Sequence, residues 1–309
     1  MTNRVEKSTA RDYAEDTGPG EFAIVTDSAS DITKEIALKY NISIVPIYIH
    51  LNGKEFRDGI DIDSNRIYEL QKKEKAVFST SSPSPHDFVE AYKRLLKKHK
   101  KIFSIHISSN LSAVMKSALI ARDLLDAKEK IEIFDSRSGT MGTGFMVIAV
   151  ARAIEKGYSF QKILKVLSFL KGNIRLYGTI DTLKYLRRSG RVPAIANFIS
   201  RLLMIKPLLG INNGVVGMIG ISFTRYGSLR EITRRVTRDF RSERWIMVSI
   251  IHTLGFDQSQ IILKRLQGPL NIVYSMITKC TPAVGAHTGP GLIGIIVSKL
   301  DREIADLFI

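Results

Sequence analysis

FAIVTDSASDITKEIALKY, residues 22–40, decides the fold class. Its first five residues, Phe22–Thr26, form a short apolar run with the β-branched bias of a strand buried on both faces. The run stops at Asp27-Ser28. Asp31 is placed to cap a helix that carries Ile36, Ala37 and Tyr40. A strand that ends in a polar turn and feeds a helix is the elementary unit of a parallel α/β sheet.

Downstream the unit repeats. A second strand is predicted at Ile44–His50. Ser84, Pro85 and Asp87 mark a helix start with a capping-box spacing, and Phe88, Tyr92, Leu95 and Leu96 follow at helical intervals. Strand Ile102–Ile107 runs into Ser108-Ser109-Asn110, followed by a helix through Ser117, Ala121 and Leu125. Strand Ile131–Phe134 runs into Asp135-Ser136, a Gly-rich turn and a helix over Phe145–Glu155. The alternation predicts a parallel sheet with helices on both faces.

After Gly172 the texture changes. Arg187 to Arg191 (RRSGR) reads as a basic loop leading through Pro193 into an apolar helix, Ile195–Ile205, that Pro207 stops. Strand-like runs follow at Val215–Phe223, Ile246–Ile251, Asn271–Ile277 and Leu292–Val297. The expected organisation is a disordered leader over 1–21, an N-terminal α/β domain over 22–171 and a C-terminal α+β domain over 172–309.

Bulk properties bound the function. The single cysteine, Cys280, permits no internal disulfide and fits a reducing compartment. Residues 1–21 hold no apolar stretch that would serve as a signal peptide, and no uninterrupted apolar run approaches membrane-spanning length. The expected location is therefore cytoplasmic. The formal charge of +16 attracts nucleic acid, anionic membrane or an acidic protein, or reflects solubility alone. Part of it lies in Thr224–Arg244, where Leu229, Ile232, Val236 and Phe240 define a packed face and Arg230, Arg234, Arg238 and Arg241 another. That second face is either simply solvated or a docking surface for an acidic partner, anionic lipid or nucleic acid.

Ligands of open parallel sheets bind beyond the carboxyl ends of the strands. Here those ends carry Asp27-Ser28, Ser108-Ser109 and Asp135-Ser136, each taken singly an ordinary cap, together a candidate anion site. The hydroxyl-rich Ser79–Pro85 and the loop Gly285–Gly291 (GAHTGPG), with His287 and Thr288, are candidates to join them. No phosphate-binding loop, nucleophile elbow or zinc motif occurs, and no His/Cys spacing suggests a metal. A hydrolase or acyltransferase using Ser109 or Ser112 with His287 is conceivable and requires a carboxylate to orient the imidazole. A hydroxyl–imidazole cluster without an evident base suits holding a carboxylate better than breaking a bond.

Seven ordered blocks then coincide with a known family: IVTDSASDI, TSSPSPHDF, IHISSNLSAVMKSA, IFDSRSGTMGTG, TIDTLKYLRRSGRV, IKPLL and VGAHTGPG. From about Phe22 to the C-terminus the chain resembles the DegV-like proteins, the lipid-binding subunits of bacterial fatty acid kinase. The resemblance implies a non-catalytic carrier: an N-terminal Rossmann-like α/β domain packed on a second α+β domain, with a lipid tunnel between them. It implies no cofactor beyond a bound long-chain fatty acid. Thr80 and Ser81, Ser109 or Ser112, and His287 with Thr288 would hold the carboxylate, while Arg191 and Arg225 would face the acyl phosphate or the kinase. That kinase, a separate protein, would supply the ATP chemistry of acyl phosphate formation for phospholipid synthesis. An anionic membrane surface is a further candidate partner; nucleic acid is not expected. The chain departs from the family pattern at Ala113-Val114 (usually Gly-Thr), at Ser82 (usually Gln) and in FTRYGSLRE, where Arg225 is kept.

Overall fold

The computed structural model describes residues 20–73, 76–192 and 205–309. The predicted leader and most of the predicted helix Ile195–Ile205 lie outside them.

The first sheet is built as the repeated unit demands. Strands β1 (Phe22–Asp27), β2 (Ile42–Val45), β6 (Lys101–His106) and β7 (Ile131–Asp135) lie in the order β2-β1-β6-β7, all parallel. Alternate residues serve opposite faces. Ala23, Val25, Ile102 and Ile131 meet helices α3 (Pro85–Leu96) and α4 (Val114–Leu124). Ile24, Phe103 and Ile105 meet α5 (Met141–Glu155) and α6 (Phe160–Asn173). The capping box at Ser84 and Asp87 is formed, with Pro85 in the first turn.

Pro46 cuts the predicted strand Ile44–His50 in two. Its first half is β2; its second, β3 (Tyr48–Leu51), turns away into a small antiparallel sheet with β4 (Lys54–Arg57) and β5 (Ser79–Ser81). Helix α1 (Lys34–Lys39) is capped by Thr33, not Asp31. Asp31 instead takes a left-handed conformation, φ 54°, and turns its carboxylate elsewhere. Helix α2 (Ser64–Lys73) follows β4 and packs Ile67, Tyr68 and Leu70 inward.

The second sheet collects β8 (Arg175–Thr179), β9 (Lys206–Asn212), β10 (Val215–Ser222), β11 (Ile246–His252), β12 (Ile272–Lys279) and β13 (Ile293–Lys299), in the order β10-β9-β8-β13-β11-β12. Only β11 and β12 pair in parallel. Pro207, expected to stop a helix, sits at the start of β9. The pairing with β8 begins only at Leu208, so the missing N–H costs no ladder bond on that side. Along β13, Ile293, Ile295 and Val297 face α8 (Arg225–Phe240) and α9 (Phe256–Gln267), while Ile296 faces α5. The result is five layers, helix–sheet–helix–sheet–helix.

Helix α5 is the middle layer. Twelve of its fifteen residues, Met141 to Ala151 and Ala153, are buried, because it packs on β1 and β6 on one side and β13 on the other. A helix apolar all round is the sequence signature of that position. Two further segments depart from expectation. The first part of the basic RRSGR segment is helical, α7 (Lys184–Ser189), ended by Gly190 in the left-handed conformation. The loop expected around His287 is instead α10 (Pro282–Thr288), closed by Gly289 at φ 71°. A short α11 (Arg302–Ala305) completes the described chain.

Candidate functional site

A cavity of about 150 Å³ opens among the loops beyond the first sheet and the inner face of the second. Much of its wall is aliphatic, with Ile107, Leu176, Leu209, Ile211, Val216 and Ile251 contributing. A wall of that character favours an apolar guest over water.

One part of the wall is polar. Thr80 on β5, His287 and Thr288 on α10, and Ser112 from the turn before α4 all line the cavity, with Ser81, Ser82 and Thr140. Thr80 Oγ1 lies 2.8 Å from His287 Nε2, and Ser82 Oγ lies 3.1 Å from Ser112 Oγ. Position 82, one of the departures from the family pattern, therefore supplies a hydroxyl partner to Ser112. Burial, assisted by the Arg191 guanidinium, pushes the His287 pKa down to about 4. The imidazole is neutral at physiological pH, so one ring nitrogen donates and the other accepts. Thr288 Oγ1 donates back to Val284 O. Ser81 Oγ is 2.8 Å from His50 Nε2 at the exposed end of the small sheet.

The two candidate arginines separate. Arg191 is exposed yet borders the cavity, so it stands where the cavity meets the surface, its guanidinium donating to Ser189 O. Arg225 does not line the cavity. It pairs with Asp181 at 3.8 Å and donates to Gln258 Oε1, while Lys206 joins the same aspartate at 3.3 Å. Of the two serines, only Ser112 reaches the cavity; Ser109 Oγ donates 2.7 Å to Asp135 on the exposed rim.

Thr140 carries a feature that sequence reasoning did not reach. It holds φ 52° and ψ −145° at the start of α5, a region that β-branched residues avoid, and its buried Oγ1 has no partner among the described residues. Strain of this kind costs about 1–3 kcal/mol and concentrates at functional sites. The only local sign is the Gly-rich turn around it.

A Ser–His–Asp constellation does exist, away from the cavity. Ser104 Oγ lies 2.7 Å from His106 Nε2, and His106 Nδ1 lies 3.0 Å from Asp27 Oδ2. All three are sealed, with Tyr92 OH 2.7 Å from the serine and Phe88 edge-on to the imidazole. No substrate reaches this hydroxyl, so the network braces the β1–β6 pair. Within the described residues, neither Ser109 nor Ser112 bonds His287, and no three His, Cys, Asp or Glu side chains are placed to hold a metal.

The model of a family described as "Uncharacterised protein, DegV family" matches residues 21–300. The chain belongs to the DegV family. A DegV domain-containing protein of Caldanaerobacter subterraneus subsp. tengcongensis is 32% identical over 282 residues, covering 90% of this chain and 99% of that one. One from Clostridium acetobutylicum is 32% identical over 291 residues, covering 90% and 99%. Two solved DegV structures are similar throughout. That of a fatty-acid-binding DegV family protein from Thermus thermophilus has a TM-score of 0.85 at 26% identity, covering 91% of this chain and 100% of its own. That of DegV from Bacillus subtilis, described as a fatty acid binding protein, has a TM-score of 0.82 at 28% identity, with the same coverage. In this DegV chain, no described helix is long and apolar enough to cross a membrane.

Proposed function

We propose that this DegV protein binds a long-chain fatty acid with its tail in the aliphatic cavity and its carboxylate at the Thr80–His287–Ser112 wall. The observation that carries the reading is the conjunction of the two: a largely aliphatic pocket with one polar stretch of wall, made of hydroxyls and a neutral imidazole. Each hydroxyl bond to a carboxylate contributes roughly 1.5–3 kcal/mol, which fixes orientation. Each buried methylene adds roughly 0.8 kcal/mol, so the tail supplies most of the affinity. Ser112 takes the contact role in preference to Ser109, whose hydroxyl is held by Asp135.

The finer role follows from the mouth. Arg191 stands beside the polar wall at the surface, where a separate kinase would meet the carboxylate and where an acyl phosphate bound for phospholipid synthesis would gain a cation. Arg225, held by Asp181 and Gln258, belongs to the surrounding partner-facing surface. The exposed arginine face of α8 offers an anionic membrane a place to dock. We take the two lobes to divide near Gly172, and the protein to work in the cytoplasm without catalysing a step itself.

Native mass spectrometry of the recombinant protein, followed by denaturing lipid extraction, tests the reading. A stoichiometric long-chain fatty acid is expected. A protein that arrives empty and ignores added oleate and palmitate overturns it. His287→Ala separates the two roles: lipid binding is retained, whereas acyl phosphate formation with the kinase falls. Equal loss of both in a folded variant removes the division.

A further inference from the structure

Helix α10 carries His287 and Thr288 to the cavity, yet it has little of its own to hold it in place. It is one of the shorter helices, and its buried face is Pro282, Ala283, Gly285 and Ala286. Side chains this small bury little area, so they fix neither depth nor rotation well. Its N-cap, Thr281, makes no side-chain capping bond.

The first turn is held instead from the far end of the chain. Asp31 Oδ1 accepts from Thr281 N at 2.9 Å across 250 residues, and Asp58 Oδ1 accepts from Ala283 N at 3.2 Å across 225. Both carboxylates are buried, Asp31 1% and Asp58 3% exposed. Helix α2 grips the same segment: Ser64 Oγ and Tyr68 OH donate to Cys280 O, and Gln71 Nε2 donates to Gly285 O.

We propose that Asp31 and Asp58 are positioning residues of the head-group site, caps supplied at long range that set where α10 presents His287 to Thr80. The proposal rests on the fatty-acid reading of the cavity. An apolar pair would leave the Thr281 and Ala283 N–H groups without acceptors at a helix start that has no side-chain cap of its own, so these two carboxylates fix where that start sits. Among the described residues, the titratable groups facing them are Asp27, Tyr68 and the Cys280 thiol, with no lysine or arginine. Burial pushes both aspartates up to about 7. The Oδ1 acceptors serve the helix in either protonation state.

The test uses the full chain with Asp31 and Asp58 changed singly to alanine and to asparagine. Asparagine keeps the Oδ1 acceptor. The readouts are the imidazole NMR signals of His287 in lipid-free protein and the affinity for oleate by calorimetry. Each alanine variant is expected to move the His287 signals and weaken oleate binding roughly tenfold, because α10 shifts as a unit and carries Ala283, Val284 and Thr288 of the cavity wall with it, which loss of the His287 side chain alone does not do. Each asparagine variant is expected to restore both. Folded alanine variants with unmoved signals and wild-type affinity overturn the proposal, as do asparagine variants that restore neither. Amide exchange in the wild type needs no variant: Thr281 and Ala283 are expected among the slow amides, and rapid exchange at both also overturns it. A wild-type protein that does not bind oleate, but whose His287 signals still respond to alanine, removes the fatty-acid reading and leaves the clamp.

Discussion

His287 and the two buried aspartates answer pH in opposite directions. The folded imidazole sits near 4, below its usual 6.5, so its share of stability is lost as pH falls through that interval. Asp31 and Asp58 are raised from 3.8 to about 7; the folded form keeps protons that the unfolded chain releases. Their share is therefore complete below pH 3.8 and is lost as pH rises towards 7 and beyond. Asparagine at either position mimics the protonated acid. Thermal unfolding of Asp58→Asn is expected to match wild type near pH 4 and to lie at least about 3 °C higher at pH 8. A gap that does not widen with pH would mean that burial leaves the carboxylate unperturbed. The sealed Ser104–His106–Asp27 array carries its own prediction: a serine-reactive fluorophosphonate leaves the protein unlabelled, and labelling read by intact mass would revive the hydrolase reading. None of these pairings was legible in the sequence. Thr80 and His287 stand 207 residues apart, and nothing local to Ser109 says that Asp135 will claim its hydroxyl.

The elements were easier to read than their partners. Strand β1 announces itself as an apolar run buried on both faces, β6 and β7 as short apolar-rich runs ending in polar turns, and α3 because its cap is complete. Helix α10 was missed because GAHTGPG has the composition of a turn, although Thr281-Pro282 just before it carries an N-cap and first-turn proline signature. Strands β8 and β9 were missed because arginine, lysine and proline sit at their starts. The small residues that obscured α10 are also its requirement. A Cβ on Gly285 would lie 2.3 Å from Tyr68 Cε1, inside the van der Waals radius of a packed ring. Gly285→Ala is expected to cost about 1–3 kcal/mol in urea unfolding. Gly268 ends α9 with a helical backbone and open space around it, so Gly268→Ala is the control, expected to be neutral or stabilising by up to about 1 kcal/mol. If both behave alike, the close approach of α10 to α2 is not what limits that site.

Across the whole molecule, the cavity exists because the loops beyond the first sheet and the inner face of the second do not close on one another completely. Its selectivity should then answer to bulk on the inner face of the second sheet. Leu209, 4% exposed on β9, is a cavity wall residue. Leu209→Trp is expected to leave the protein folded and to shift the bound fatty acid, identified after extraction, to shorter chains. An unchanged acyl profile would place the tail elsewhere. The general architecture was foreseeable from the alternation of strand and helix, and the parallel sheet with its two helical faces follows from it. What the alternation alone did not convey is that α5, apolar on every side, serves as the interior of both sheets. Such a shared helix makes the chain a poor subject for recombination. A chimera that joined the first half of one homologue to the second half of another would have to match at α5 on two faces simultaneously, and a crossover near Gly172, innocuous in the primary structure, would set one parent's wedge against another parent's groove. Change in this protein must therefore come by compensated steps on both sides of that helix, never by exchange of a module.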